Sequence, residues 1–180
     1  MTWSPPRRPA WLLLILALAL AFRLAPVLRG GERPLFGDES SYDEIAFNVA
    51  SGHGYVVGAT AAERRPTATR GPSYVLWMAA FYRLAGRRLI PPLVANCVLD
   101  VLACWLAYRI ARRVFGTERA GLCAASLYAV YPPFILITGQ LLPEAFTNLT
   151  LMGAVAAFAS RGLEAPRARG SAPRARPAAC

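Results

Sequence analysis

Residues 11–28 read WLLLILALALAFRLAPVL, an apolar run whose single charged residue is Arg23. Eighteen residues of α-helix, at about 1.5 Å rise each, cover roughly 27 Å, which is enough to cross a bilayer. Arg23 lies near the far end of the run, where a long side chain can reach the headgroups. The stretch therefore predicts transmembrane helix 1.

The flanks of this run set its orientation. Arg7 and Arg8 precede it and favour residues 1–10 as a cytoplasmic N-terminus. A cleavable signal peptide is the alternative, because Ala17-Leu18-Ala19 resembles a small-residue cleavage site. The apolar run continues past that site and further apolar runs follow, which favours the membrane helix.

Composition agrees with an integral membrane protein. Of the 180 residues 56% are hydrophobic, and the mean hydropathy is +0.36, values that are high for a soluble domain. The net charge is +10 and all 20 basic residues are arginine. These arginines cluster at the ends of apolar runs, so membrane topology explains them and we predict no nucleic-acid partner. Cysteines within apolar runs act as small hydrophobes and predict no disulfide framework.

Residues 89–160 hold the later spans. We predict transmembrane helices 2–4 here, at residues 89–110, at 121–137 with a break at Pro132-Pro133, and at 146–159. The turn from Arg109 to Arg119 carries four arginines and one glutamate, which favours the cytoplasm. Residues 161–180 are rich in Ala, Arg and Pro and predict a disordered tail, whose arginines permit contact with anionic lipid.

Within the second span, Asp100 lies four residues after Asn96, so the two share a helix face. An ionisable side chain within a membrane is costly and usually faces the bundle interior. We expect a structural hydrogen bond there.

Between the first two spans, residues 29–88 form a long polar section with eight arginines and six acids. A short helix is predicted at 41–50, with Asp38 or Ser40 as N-cap and an apolar face (Tyr42, Ile45, Ala46, Val49). Glu39, Asp43 and Glu44 are expected on a solvated face. Gly52-His53-Gly54 should end the helix, with His53 as a loop residue.

Residues 71–86, GPSYVLWMAAFYRLAG, are apolar but short for a span and suit an interfacial helix. If this helix does not cross the membrane, Asp38, Glu39, Arg70 and Glu144 share the non-cytoplasmic face. The predicted fold is all-α: a polytopic membrane helix bundle with a long first outer loop carrying short juxtamembrane helices.

The order of several landmarks is informative. They are Asp38-Glu39-x-x-Tyr42 after the first span, Gly52-x-Gly54-Tyr55, Arg70-x-Pro72-x-Tyr74, Ala111-Arg112-Arg113-x-Phe115-Gly116, and Tyr131-Pro132 before Glu144. Together they resemble the N-terminal part of polyprenyl-phosphate-sugar-dependent glycosyltransferases of the type C fold, in particular protein mannosyltransferases (glycosyltransferase family 39) and lipid A aminoarabinose transferases. The resemblance covers roughly residues 7–160.

The resemblance implies an inverting sugar transfer at the outer face of the membrane, from a dolichyl- or undecaprenyl-phosphate donor to a protein or lipid acceptor. Asp38, with Glu39 beside it, takes the place of the family's first outer acid, as general base or in a metal-assisted site. Arg70 is the candidate for the donor phosphate, with Arg64 and Arg65 as alternates. Glu144 matches the second outer acid and is a candidate for binding a divalent ion or the acceptor.

Each of these residues also has a plain structural interpretation. Asp38 could cap a helix, Arg70 could anchor the interfacial helix, and Glu144 could cap the following span. For the whole chain, the alternative is a non-catalytic small multi-span scaffold or transporter-like subunit. Because members of the resembled fold have a larger bundle, we expect this chain to be an N-terminal fragment and, alone, inactive.

Overall fold

The computed structural model describes residues 10–162, so nearly all of the predicted tail lies outside the described residues. In chain order the elements are α1 (Ala10–Gly30), α2 (Asp38–Ala50), β1 (Val56–Val57), β2 (Arg65–Pro66), α3 (Pro72–Ala85), α4 (Ile90–Phe115), α5 (Glu118–Val130), α6 (Pro132–Ile137) and α7 (Glu144–Gly162). Apart from one short antiparallel ribbon, all regular secondary structure in the described part of the chain is helical. This confirms the predicted fold class, an all-α membrane helix bundle.

Two of the described helices, α1 and α4, are long and apolar enough to cross a membrane. Helix α4 ends at Phe115 because Gly116 adopts a left-handed conformation, with φ of 70°. The predicted third span consists of two helices, α5 and α6, which are separated where Tyr131 is extended before Pro132. Helix α7 begins at Glu144, two residues before the predicted start of the fourth span.

Helix α4 lies at the centre of the described bundle and contacts α1, α5 and α7. The crossing of α4 and α5 is close because Gly121 has no side chain. A Cβ atom at Gly121 would lie 2.8 Å from the ring of Tyr108.

The expectation that Arg23 reaches the headgroups is wrong. Its side chain is fully buried and forms an ion pair with Asp100. It also donates to the carbonyl oxygens of Ala129 (3.1 Å) and Tyr128 (3.3 Å), near the end of α5 where no following helical turn can satisfy them. A charge inside an apolar bundle is stable only with such partners.

Asp100 therefore takes part in a structural contact, as expected, but its partners are not on its own helix. Besides Arg23 it accepts a hydrogen bond from the Tyr128 hydroxyl at 2.8 Å. Asn96 points elsewhere and donates to the hydroxyl of Tyr74 at 2.8 Å. The network thus joins α1, α4 and α5.

In the outer section, α2 packs on α3 through a cluster that includes Tyr42, Ile45, Tyr74 and Met78. Helix α2 begins at Asp38, three residues before the predicted start, and its N-cap is Gly37. Neither Asp38 nor Ser40 is the N-cap, because the backbone already turns at Gly37, where φ is 59°.

The end of α2 follows the prediction. Gly52 and Gly54 both have positive φ, 79° and 85°, and His53 is exposed between them. The predicted solvated face is wrong, since even Glu44 is half-buried and accepts from the Gly58 amide. Asp43 and Glu39 are buried, because each is held by an arginine from another segment.

The ribbon of β1 and β2 was not predicted. Val56 pairs with Pro66 and Val57 with Arg65. Its turn depends on Gly58, where φ is 116° and a Cβ atom would lie 2.5 Å from the Glu63 carbonyl. The side chain of Asn48 donates to the Val56 carbonyl at 3.0 Å, and that of Glu44 accepts from the Gly58 amide at 2.8 Å. Helix α2 thus supports the ribbon, and the ribbon leads the chain to Arg70.

Candidate active site at the start of helix α2

Asp38 is the first residue of α2 and its side chain is 63% exposed. The free amides at a helix N-terminus favour a negative charge at this place. One carboxylate oxygen accepts a hydrogen bond from Nη2 of Arg70 at 2.5 Å. The structure therefore brings together two residues that were predicted separately, the acid and the phosphate-binding arginine.

Arg70 is held in place from several sides. Its guanidinium lies over the ring of Tyr42, 5.1 Å from the centroid, and its backbone carbonyl accepts from the Tyr55 hydroxyl at 2.8 Å. The hydrogen bond to Asp38 raises the pKa of Arg70, since it stabilises the charged guanidinium. Its Nε is buried and has no hydrogen-bond partner among residues 10–162.

Glu39 has a different environment, although it is the next residue. Its two oxygens accept from both Nη atoms of Arg33, at 2.5 Å and 3.0 Å, and one also accepts from the Leu141 amide at 2.9 Å. Arg33 in turn donates to the Gly139 carbonyl at 3.0 Å, and the hydrogen bonds that it donates to Glu39 raise the pKa of Arg33. Glu39 thus fastens the first turn of α2 to the connection between α6 and α7.

A groove of about 560 Å³ opens beside this cluster. Its lining includes the charged side chains of Asp38, Glu39 and Arg33 and the polar side chain of Gln140. The lining residues also include Pro26, Phe36, Leu136 and Leu142. Phe36 and Leu136 are 75% and 66% exposed, so the apolar part is open at the surface. Such a groove can accommodate a molecule that has a charged head and a long apolar chain.

Glu144 lies at the first turn of α7, and its Oε2 is buried without a hydrogen-bond partner among the described residues. Burial raises the pKa of Tyr74, and the negative charge of Glu144 raises it further. No hydrogen bond within residues 10–162 joins Glu144 to Asp38 directly.

Arg65 begins strand β2, and Arg64 immediately precedes it. Neither residue takes part in the Asp38–Arg70 ion pair. Arg64 has a buried Nε without a partner in the described part of the chain. For metal binding, no group of three or more His, Cys, Asp or Glu side chains converges between residues 10 and 162. A divalent ion next to Asp38 would therefore need most of its ligands from other sources, and the predicted metal remains a prediction.

Two contributors to the site were missed from sequence. Arg33 was counted only as one of several arginines in the polar section, and no local pattern pairs it with Glu39. Tyr55 was noted as part of Gly52-x-Gly54-Tyr55, yet its role in holding the Arg70 backbone was not foreseen. Burial raises the pKa of Tyr55, so its hydroxyl stays protonated and able to donate.

Comparison with known proteins identifies the family. The model of the dolichyl-phosphate-mannose-protein mannosyltransferase family matches residues 69–170, which is more than half of the chain. Arg70 and Glu144 lie inside the matched region, whereas Asp38 and Glu39 precede it. No curated protein and no solved structure matches the chain. The chain belongs to the dolichyl-phosphate-mannose-protein mannosyltransferase family, and it is a membrane protein of the glycosyltransferase type.

Proposed function

We propose that this chain contains the reaction-centre acid of a glycosyltransferase that moves a sugar from a polyprenyl-phosphate donor to a protein or lipid acceptor. The observation that carries the proposal is the Asp38–Arg70 ion pair, whose Asp38 lines a groove together with Phe36, Leu136 and Leu142. The family name supports mannose on dolichyl phosphate as donor and a protein as acceptor. The N-terminus is cytoplasmic, and the reaction takes place at the outer face of the cell membrane.

In the proposed reaction Asp38 is the general base. An acceptor hydroxyl loses its proton to the carboxylate while its oxygen attacks the anomeric carbon. The bond between that carbon and the phosphate oxygen breaks, and the polyprenyl phosphate leaves with the electron pair. A single displacement of this kind inverts the configuration at the anomeric carbon.

Arg70 binds the leaving phosphate. Guanidinium groups bind phosphate oxygens through two parallel hydrogen bonds. In Arg70, Nη2 contacts Asp38 and Nε is buried without a partner in the described part of the chain, so phosphate binding requires the side chain to turn outward. An arriving phosphate competes with Asp38 for this guanidinium. Donor binding thereby frees the Asp38 carboxylate at the moment when a base is needed.

The other predicted residues take secondary roles. Glu39 positions Asp38, because both of its oxygens are engaged by Arg33 and Leu141. Arg64 and Arg65 extend the positive charge on the donor side. Glu144, whose buried Oε2 has no hydrogen-bond partner among residues 10–162, is the candidate to bind the acceptor or a divalent ion.

The test uses the complete gene product in membranes, with a labelled polyprenyl-phosphate sugar and an acceptor peptide. Asp38→Asn should lower kcat by about 10²–10⁴-fold, the usual contribution of a general base, and should not raise the donor KM, because it removes the charge that competes for Arg70. Arg70→Gln should raise the donor KM as well as lower kcat. The matched control is Glu63→Gln, an exposed acid of the same outer section.

Transfer at the wild-type rate by Asp38→Asn would refute the proposal. If that variant instead assembled poorly in the membrane, while the assembled molecules transferred sugar at the wild-type rate, a scaffold role would be the better account. Addition of a chelator to the wild-type protein tests the divalent ion separately, since loss of transfer that returns with added metal would support it.

A further inference from the structure

The guanidinium of Arg70 lies over the ring of Tyr42, with its central carbon 5.1 Å from the ring centroid. A cation over the face of an aromatic ring is attracted by the negative charge density of that face, and more strongly where water is excluded. Tyr42 is buried, with 8% of its surface exposed. Together with the hydrogen bond to Asp38, this ring favours the inward position of Arg70, in which the guanidinium is paired with Asp38.

The ring of Tyr42 is itself held firmly. It packs edge to face with the ring of Tyr74, with centroids 5.3 Å apart and an interplanar angle of 84°. The Tyr74 hydroxyl accepts from the side chain of Asn96 at 2.8 Å, and Asn96 is fully buried in α4. Tyr42 is therefore fixed through α3 to the transmembrane helix α4 and keeps its place when Arg70 moves.

The backbone of Arg70 is fixed too, so only its side chain can change position. The backbone carbonyl accepts from the Tyr55 hydroxyl at 2.8 Å, and helix α3 begins two residues later, at Pro72. The inward position has a cost, because Nε is buried without a partner among residues 10–162. With Asp38 and Tyr42 in favour and the buried Nε against, the inward and outward positions differ little in free energy.

We propose, on the basis of the sugar-transfer function above, that Tyr42 is a positioning residue that holds Arg70 inward until the donor phosphate draws the guanidinium outward. The phosphate binds only those molecules in which Arg70 is outward. The apparent affinity for the donor is reduced by that fraction. Tyr42 thereby sets the donor concentration at which Arg70 leaves Asp38 and the base becomes available.

The test varies residue 42 in the complete gene product in membranes, with labelled polyprenyl-phosphate sugar and acceptor peptide. Tyr42→Leu removes the aromatic face, so the donor KM should fall roughly two- to fivefold, the effect of losing one cation–π contact, while kcat is unchanged. Tyr42→Phe keeps the ring and should keep the donor KM. The control Ile45→Val loosens the same packing between α2 and α3 and should not lower the donor KM.

A second substitution keeps the test decisive if Tyr42→Leu folds poorly. Fluorine atoms withdraw charge from the face of a ring and change its shape little. Trifluorophenylalanine introduced at position 42 therefore weakens the cation–π contact and preserves the packing. The donor KM should be lower with this residue than with phenylalanine. Equal KM values, or a KM that is raised by Tyr42→Leu in a folded protein, would overturn the inference.

The position of Arg70 can also be followed without donor or transfer. Phenylglyoxal modifies accessible guanidinium groups, and mass spectrometry of the peptides gives the rate at Arg70 relative to the exposed Arg65. This rate should be higher with trifluorophenylalanine at position 42 than with phenylalanine, and equal rates would overturn the inference. Full transfer by Asp38→Asn would instead refute the sugar-transfer function and leave the difference in modification rate in place.

Discussion

Arg23 of α1 and Asp100 of α4 form a buried ion pair although they lie 77 residues apart in the chain. The same guanidinium binds two carbonyl oxygens of α5, and the same carboxylate accepts from Tyr128. One network of charges and dipoles thus fixes three helices relative to one another within the apolar interior.

This network predicts a double-mutant pattern. Arg23→Gln or Asp100→Asn alone should destabilise the protein by about 3–5 kcal/mol, because each leaves an uncompensated charge in the bundle. Replacing both residues by leucine should cost less than the sum of the single changes. Thermal unfolding in detergent measures these losses of stability. The control is Glu118→Gln, which breaks the partly exposed ion pair with Arg112. Its stability should lie within about 1 kcal/mol of wild type. Additive losses would contradict a direct pairing.

Gly121 and Gly153 offer a matched pair of helix glycines. A Cβ atom at Gly121 would meet the Tyr108 ring at 2.8 Å and the Arg112 Cβ at 3.0 Å, whereas one at Gly153 meets nothing within 4 Å. Gly121→Ala should therefore separate α4 from α5 and cost about 1–3 kcal/mol. Gly153→Ala should be neutral or stabilising by up to about 1 kcal/mol. The order of the two unfolding temperatures is the readout, and the reverse order would refute this packing.

Glu39→Gln should loosen the start of α2 without removing the proposed base. The amide keeps an oxygen for the Leu141 amide but loses the charge-assisted pair with Arg33, at a cost of about 1–3 kcal/mol. Hydrogen exchange at residues 139–142 should become faster, and transfer should fall less than in Asp38→Asn. An unchanged exchange rate at Leu141 would show that Glu39 does not hold this connection.

Tyr82 predicts a pH effect. Burial and the hydrogen bond from its hydroxyl to Asp43, at 2.6 Å, raise the pKa of Tyr82 above its usual value of about 10. The folded state therefore holds this proton more tightly than the unfolded state. The resulting stability is complete below about pH 10 and is lost as the pH rises further.

The measurement is tyrosinate absorbance of wild type and Tyr82→Phe during an alkaline titration. The two curves should coincide near pH 10, since only the other tyrosines ionise in that range. If the wild-type absorbance near pH 10 exceeded that of Tyr82→Phe by the contribution of one tyrosinate, the Tyr82 hydroxyl would be accessible and not bonded as described.

Much of the helical framework could be predicted from sequence, because apolar length and periodicity are local properties. The predicted helix at 71–86 is α3, and the span predicted at 89–110 is the first part of α4. Pairings between distant segments could not be predicted in this way. Within residues 11–28 alone, Arg23 has the position of an arginine that reaches the lipid headgroups. Only the packed bundle shows that Asp100 and α5 surround it.

In the candidate site too, the individual residues could be predicted from the sequence but their contacts could not. Asp38 and Arg70 were proposed from the resemblance as separate residues, and their contact across 32 positions appears only in the structure. The β1–β2 ribbon was missed because strands of two residues leave no detectable alternation. Asp43 belongs to the predicted solvated face because its partners Tyr82 and Arg87 lie 39 and 44 residues away in the chain. Arg33 is only six residues from Glu39, but it precedes helix α2, so no helical spacing relates the two.

The adjacent acids at the start of α2 cannot substitute for one another. Consecutive residues of a helix project about 100° apart, so Asp38 reaches Arg70 whereas Glu39 reaches Arg33 and the α6–α7 connection, although both acids border the groove. The double change Asp38→Glu with Glu39→Asp would conserve charge and composition. It would nevertheless alter the contacts with Arg70 and Arg33, because the two side chains differ in length. A search for such sites by acidic composition would therefore overlook what distinguishes them, which is the direction in which each carboxylate leaves the helix.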